Sequence, residues 1–161
     1  MELHHHNVLF SDDYPLEFRQ LRKGQYATSP TIYACYPYAS DKTCPPGLFV
    51  LVNAPNGDVS TEGQHALIDE ALEKWGITQT DIIERTKFPP QFLKEYFNTH
   101  QGALYGRASN SFTGSFLRPA NRDKRYKNLF YVGGTVHPGG GSPIVIKGGH
   151  EVAKRIIKHY T

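Results

Sequence analysis

Chemistry in this chain concentrates between Gly133 and Val145, in the run Gly-Gly-Thr-Val-His-Pro-Gly-Gly-Gly-Ser-Pro-Ile-Val. Five glycines fall within the nine residues Gly133 to Gly141, so few side chains stand between the backbone and a ligand. Ser142 is a favoured helix N-cap and Pro143 suits a first helical turn, which predicts a helix opening directly after the glycines. The N–H groups of Ile144 and Val145 would then point back over the turn and favour an anionic or electron-rich partner. Two familiar phosphate cradles do not fit the spacing. A Walker A loop needs Gly-Lys-Ser/Thr at the helix start, whereas Lys147 lies a turn further in. The dinucleotide fingerprint needs a glycine at its sixth position and an acid about 20 residues on. Counted from Gly139 the sixth residue is Ile144, and no acid follows at that distance.

Other reactive side chains carry less. His65, His100, His137, His150 and His159 lack metal-ligand spacing and have no carboxylate pair beside them. The run His4-His5-His6 next to Met1 is as typical of an affinity tag as of a native chain, and it is set aside as a metal signal, so no metal is expected. Cys35 and Cys44 make neither a disulfide framework nor a zinc site and suit a reducing cytoplasm. The 161 residues carry 18 Lys+Arg against 15 Asp+Glu, for a net charge of +3. Basic density is local to Arg118–Lys127 and Lys154–Lys158, and too mixed with acids to indicate nucleic acid. No apolar run approaches the roughly 18 residues of a membrane span and no signal peptide is visible, so a membrane would be touched rather than crossed.

The elements that must hold the turn can be read from apolar periodicity. A chain of this length loses roughly two-thirds of its surface on folding and can bury a core. Val8-Leu-Phe10, Ile32–Tyr36 and Leu48–Val52 read as strands, with a turn-rich loop from Ser40 to Gly47 between the last two. The continuous apolar character of Leu48–Val52 predicts a strand covered on both faces. Thr61 with Gln64 predicts a capping box, followed by a helix burying Leu67, Ile68, Ala71, Leu72 and Trp75 and stopped by Gly76. Asp81–Phe88 is read as a strand, and Pro89-Pro90 opens a short helix with Phe92, Leu93, Tyr96 and Phe97 on its inner side. Thr99–Arg125, rich in Gly, Ser, Asn and Arg, is expected to be mostly loop, and a loop that long usually covers a ligand. Leu129–Val132 should be the strand that enters the glycine turn. The helix after it should bury Val145, Val152, Ile156 and Ile157, with Gly148 and Gly149 allowing close contact.

Taken in order, these segments resemble the FAD-dependent carotenoid desaturases and oxidases, the phytoene desaturase relatives within the amine-oxidase-like flavoproteins. The resemblance covers nearly the whole chain. It rests on His5–Tyr14, Ser29–Tyr33, Pro45–Val52, Gly102-Ala-Leu-Tyr-Gly106, Phe116-Leu-Arg-Pro119 and, most specifically, Gly133–Pro143. It implies an α+β fold: residues 1–125 as part of a substrate-binding domain with a mixed or antiparallel sheet, and residues 126–161 as the closing strand, glycine turn and helix of an FAD-binding domain. In that family the closing helix N-terminus lies at the pyrimidine end of the flavin. Gly133, Gly134 and Thr135 would therefore face the ribityl and phosphate portion, with Gly140, Gly141, Pro143, Ile144 and Val145 lining the ring. His137 would either hydrogen-bond the cofactor or hold the turn. A positive helix end near the reduced ring contributes about 0.3–2 kcal/mol.

The resemblance further implies a carotenoid or polyene substrate, removal of hydrogen from a saturated C–C bond to FAD, and peripheral contact of a cytoplasmic enzyme with a membrane. Ten Tyr, nine Phe and one Trp are compatible with tunnel walls, although core packing accounts for most of them. Arg107 and Arg118 are candidates for placing substrate, and no catalytic acid or base stands out. The family's N-terminal Gly-x-Gly-x-x-Gly is absent from these residues, so the chain reads as a C-terminal fragment that by itself binds FAD weakly or not at all and turns over no carotenoid. Two other readings stand beside this one: an amine oxidase-like flavoprotein, and a non-catalytic module that binds lipid or a partner.

Overall fold

The computed structural model describes residues 3–105 and 118–160. Arg107, Gly106 and the Phe116-Leu117 part of the motif above lie outside the described residues. The chain divides into two compact units, Met1–Ala103 and Leu104–Thr161.

In the first unit, strands β1 (His6–Leu9), β2 (Ile32–Cys35) and β3 (Phe49–Val52) form an antiparallel sheet in that order. The register aligns His6 with Cys35 and Phe49, and Leu9 with Ile32 and Val52. Period-2 alternation therefore sends Leu9, Ile32, Ala34, Val50 and Val52 to one face. There they meet helix α2 (Gln64–Lys74), whose Ala71 and Leu72, with Trp75 just beyond, complete the core. Each fully buried Ile or Leu contributes about 1.5–3 kcal/mol. The other face stays open: Val8, Phe49 and Leu51 are exposed. Leu48–Val52 is thus a strand, as its composition predicts, but not one covered on both faces. It is an edge strand whose residues alternate between exposed and half-buried.

Helix α1 (Tyr14–Arg22) was not expected from apolar periodicity, because its buried side chain is a carboxylate. Its start is nonetheless written in sequence. The Asp13 carboxylate accepts from the Leu16 N–H at 2.9 Å, and Pro15 occupies the first turn. Glu17, 1% exposed, accepts at its two oxygens from Thr31 Oγ1 (2.7 Å) and Asn53 Nδ2 (3.1 Å). That arrangement ties α1 to the segments beside β2 and β3.

Three local expectations are corrected in this unit. Helix α2 opens on Gly63 in the left-handed region (φ +82°), with no side-chain cap, so the Thr61/Gln64 box does not form. Instead the Gln64 N–H donates to the Thr61 carbonyl, which uses the donor the helix start leaves over. Asp81–Phe88 is not a strand. The Asp81 carboxylate accepts from the Thr78 N–H and hydroxyl at 2.8 and 2.7 Å and closes a 3-10 turn over Gln79–Asp81. Ile82 then joins the core while Ile83 is fully exposed. Helix α3 (Pro90–Phe97) starts at the prolines as read, but Tyr96 and Phe97 face outward. With Phe88 and Phe92 they form a surface row of rings, Phe92 and Tyr96 stacked at 5.2 Å.

The second unit carries helix α4 (Ser142–Tyr160). Leu129–Val132 does not form a strand; a single antiparallel bridge pairs Phe130 with Arg122. The partner segment turns away at once, because the Asp123 carboxylate accepts from the Arg125 and Tyr126 N–H groups at 2.7 and 2.8 Å. On α4 only Val152 of the four expected residues is buried, whereas Ile156 and Ile157 are exposed and Val145 is half-buried. Gly148 does permit close approach, to Pro138 of the glycine turn rather than to a sheet: a Cβ there would lie 3.1 Å from Pro138 Cδ. The fold is α+β, and its sheet is antiparallel throughout. Among the described residues no helix is long and apolar enough to cross a membrane.

Candidate functional site

The glycine turn is held from below by the short segment Arg118–Asn121, whose first two residues belong to the Phe116-Leu-Arg-Pro119 motif and whose Asn121 stood out in no linear pattern. The Asn121 side chain is 8% exposed, and its Nδ2 donates to the carbonyls of His137 (2.6 Å) and Tyr131 (3.2 Å). The Tyr131 N–H returns a bond to the Asn121 carbonyl at 2.8 Å, and the His137 N–H donates to Pro119 at 2.9 Å. Both ends of the loop Tyr131–His137 are therefore pinned to Pro119–Asn121. Arg118 adds a longer contact, its Nη1 lying 3.4 Å from the Gly134 carbonyl. The one hint in sequence was that Asn is a turn former whose amide satisfies backbone groups.

Within the loop each glycine has a separate reason. Gly133 (φ +139°) and Gly141 (φ +104°) adopt backbone angles that side chains disfavour. Gly134 and Gly140 pass each other so closely that a Cβ on Gly134 would lie 3.3 Å from Gly140 Cα. A Cβ on Gly140 would reach the Tyr105 ring at 2.8 Å, and one on Gly139 would lie 3.1 Å from Arg118 Nε. Val136 and Gly139 are buried beneath, while Thr135, His137, Gly141, Pro143 and Ile144 are exposed. The turn thus presents a nearly bare backbone surface flanked by one hydroxyl and one imidazole. His137 has both its backbone groups committed to Pro119 and Asn121, so its backbone holds the turn whatever its ring does.

The helix start differs from the expectation by one residue. Val145 N–H donates to the Gly141 carbonyl at 2.9 Å, which makes Gly141 the N-cap and puts Ser142 and Pro143 in the first turn. Val145 therefore offers no N–H to a ligand. Proline has none, so the first-turn donors are those of Ser142 and Ile144.

Beside the turn, the loop Asp123–Tyr131 is closed by charge. Asp123 accepts from the Tyr131 hydroxyl at 2.8 Å in addition to the two N–H groups. Those bonds, the Tyr126 N–H foremost, hold its carboxyl below the usual aspartate range. The same carboxylate pushes the Tyr131 phenol up.

An α+β fold with a backbone-lined glycine turn at a helix start is the setting in which the sequence resembled the carotenoid desaturases, and curated relatives bear that resemblance out. No family model matches the chain. The chain is 26% identical over 170 residues to a 4,4'-diapophytoene desaturase (4,4'-diaponeurosporene-forming) of Staphylococcus aureus strain MRSA252. It is 27% identical over 172 residues to the proteins of the same name from strains Newman and USA300. Each match covers 95% of this chain and 34% of the relative, so the chain spans about a third of the length of the curated relatives it matches.

Proposed function

We propose that this chain is the C-terminal part of an FAD-dependent desaturase acting on a carotenoid or related polyene. The observation that carries the reading is the similarity to diapophytoene desaturases along 95% of the chain, which reaches far beyond the glycine turn. Residues 1–125 contribute to the substrate-binding domain and residues 126–161 close the FAD-binding domain, whose remaining fold is the principal partner.

Two features support a flavin nucleotide as the turn's ligand: Gly134 and Gly140 let the turn fold tightly on itself beside the Tyr105 ring with little side-chain cover, and the first-turn N–H groups of Ser142 and Ile144 suit an electron-rich ring edge. Gly133, Gly134 and Thr135 would hold the ribityl and phosphate portion. Gly140, Gly141, Pro143 and Ile144 would line the ring, with Val145 contributing its side chain only. When bound, FAD accepts the hydrogen removed from the C–C bond. The chain's own part is to fix one end of the ring and exclude water around it. The aromatic row of exposed Phe88, Tyr96 and Phe97 around the half-buried Phe92 supports an apolar substrate surface, since rings of this kind accept a polyene without demanding hydrogen bonds. Peripheral membrane contact of a cytoplasmic enzyme follows, because such a substrate resides in lipid.

Expression of the complete reading frame tests the reading. Flavin should be retained near unit stoichiometry, phytoene-type polyenes should gain conjugated double bonds seen by absorption, and amines should not be oxidised. Gly134→Val should lower flavin occupancy. The 161 residues alone should retain little. Full flavin occupancy in Gly134→Val, or amine oxidation without desaturation, would overturn the assignment.

A further inference from the structure

We propose that His5, His6 and Cys35 form a zinc-binding site at the end of the sheet, separate from the glycine turn. A ring nitrogen of each histidine and the Cys35 Sγ lie within 4.8 Å of one another. Two imidazoles and a thiolate are the donor set that a borderline-soft divalent cation selects, with water completing four-coordination. Zn–N distances of about 2.0–2.1 Å and Zn–S of about 2.3 Å require a further closing of roughly 1 Å between ligand atoms. Side-chain rotation supplies it, since His6 is exposed and the other two are half-buried.

The histidines are part of the fold and not a loose tail. His6 stands directly opposite Cys35 in the β1–β2 register, and the His5 carbonyl accepts from the Tyr36 N–H at 2.8 Å. The buried Asn7 closes the bend before them, donating to the His4 carbonyl at 2.7 Å and accepting from the His4 N–H at 3.0 Å. Outer-shell partners are in place as well. Nδ1 of His5 lies 2.8 Å from Ser40 Oγ, and Nδ1 of His6 lies 2.8 Å from Tyr33 Oη. Such partners fix the orientation and tautomer of a ligating imidazole. Linear reading missed the site because Cys35 is brought to the histidine run only by strand pairing. Once filled, the site would clamp the entry to β1 onto β2.

Co2+ titration of the 161-residue chain under reducing conditions tests this, with cobalt as the spectroscopic stand-in for zinc. Expected are one equivalent bound, a sulfur-to-cobalt charge-transfer band, and the intense visible bands of a four-coordinate ion, all displaced by Zn2+. Cys35→Ser should abolish the charge-transfer band and weaken Zn2+ by more than the roughly 10–100-fold that loss of an outer partner costs. His4→Ala and Cys44→Ser should leave the spectrum unchanged. Absence of the charge-transfer band in the unmodified chain would overturn the proposal whatever the variants do. So would a band that moves with Cys44, or binding that falls as much in His4→Ala as in His6→Ala, the mark of a simple histidine run.

Discussion

Replacing Asn121 by alanine is the sharpest test of how the glycine turn keeps its shape. The substitution removes one amide that donates to two carbonyls, at 2.6 and 3.2 Å, from a position only 8% exposed. A hydrogen bond of this kind contributes about 0.5–1.5 kcal/mol net, so the pair contributes about 1–3 kcal/mol to the closed loop. The backbone bonds from Tyr131 to Asn121 and from His137 to Pro119 survive the substitution but lose their support. Native-state amide hydrogen exchange reads this directly, because local opening sets the exchange of those two N–H groups. Exchange at Tyr131 and His137 should speed up roughly 5- to 150-fold, as 1.4 kcal/mol corresponds to a factor of ten, while amides of α2 are unchanged. Asn121→Asp should do more harm, since a carboxylate faces the same two carbonyls without a donor. Unaltered protection at both amides in Asn121→Ala would refute the reasoning, because it would mean the loop is held without the side chain.

Two further outcomes follow from the same unit. Alanine at adjacent glycines of α4 should have opposite effects in urea denaturation. At Gly149 the new Cβ meets Val132 Cγ1 at an ordinary 3.6 Å, so the helix gains about 0.5–1 kcal/mol. At Gly148 it meets the rigid Pro138 ring at 3.1 Å, and overpacking of about 1–3 kcal/mol outweighs that gain. The Asp123–Tyr131 loop should respond to pH at both ends. Asp123 has its carboxyl lowered, so its contribution is full above the ordinary value of about 3.9 and is lost as pH falls through the lower folded value. Tyr131 has its phenol raised, so its contribution is lost as pH rises through that raised value. Tyr131 ring shifts followed by NMR should stay constant between those limits; a change near neutrality would contradict the assignment.

Local chemistry made part of the molecule readable. The three strands, the α2 core face from Ile68 to Trp75 and the proline start of α3 are set by runs of β-branched, periodic or ring-locked residues, which act over a few neighbours. Elements whose logic is tertiary were not readable. Helix α1 buries a glutamate that Thr31 and Asn53 satisfy from distant segments, and Leu129–Val132 has strand composition but among the described residues pairs only through the Phe130–Arg122 bridge. The same division runs through the site. The glycines and the helix start could be found from spacing, although the cap fell on Gly141 and the Val145 N–H is spent on it. Asn121 could not, because its role exists only once Tyr131 and His137 have come to lie either side of it.

Glu17, Thr31 and Asn53 come from three separate stretches of chain, yet both oxygens of the buried Glu17 carboxylate are met by the other two. Loss of Glu17 strands both partners, whereas loss of Thr31 or Asn53 leaves one oxygen of the buried carboxylate unpaired, so the substitution costs are coupled through Glu17 and will not add. Drift at these positions is therefore barred one step at a time. A lineage could replace the set with apolar side chains of matching volume at little cost, but only by passing through intermediates that leave a buried carboxylate or amide unpaired. Relatives that lack the Glu17 carboxylate should therefore differ at Thr31 and Asn53 as well.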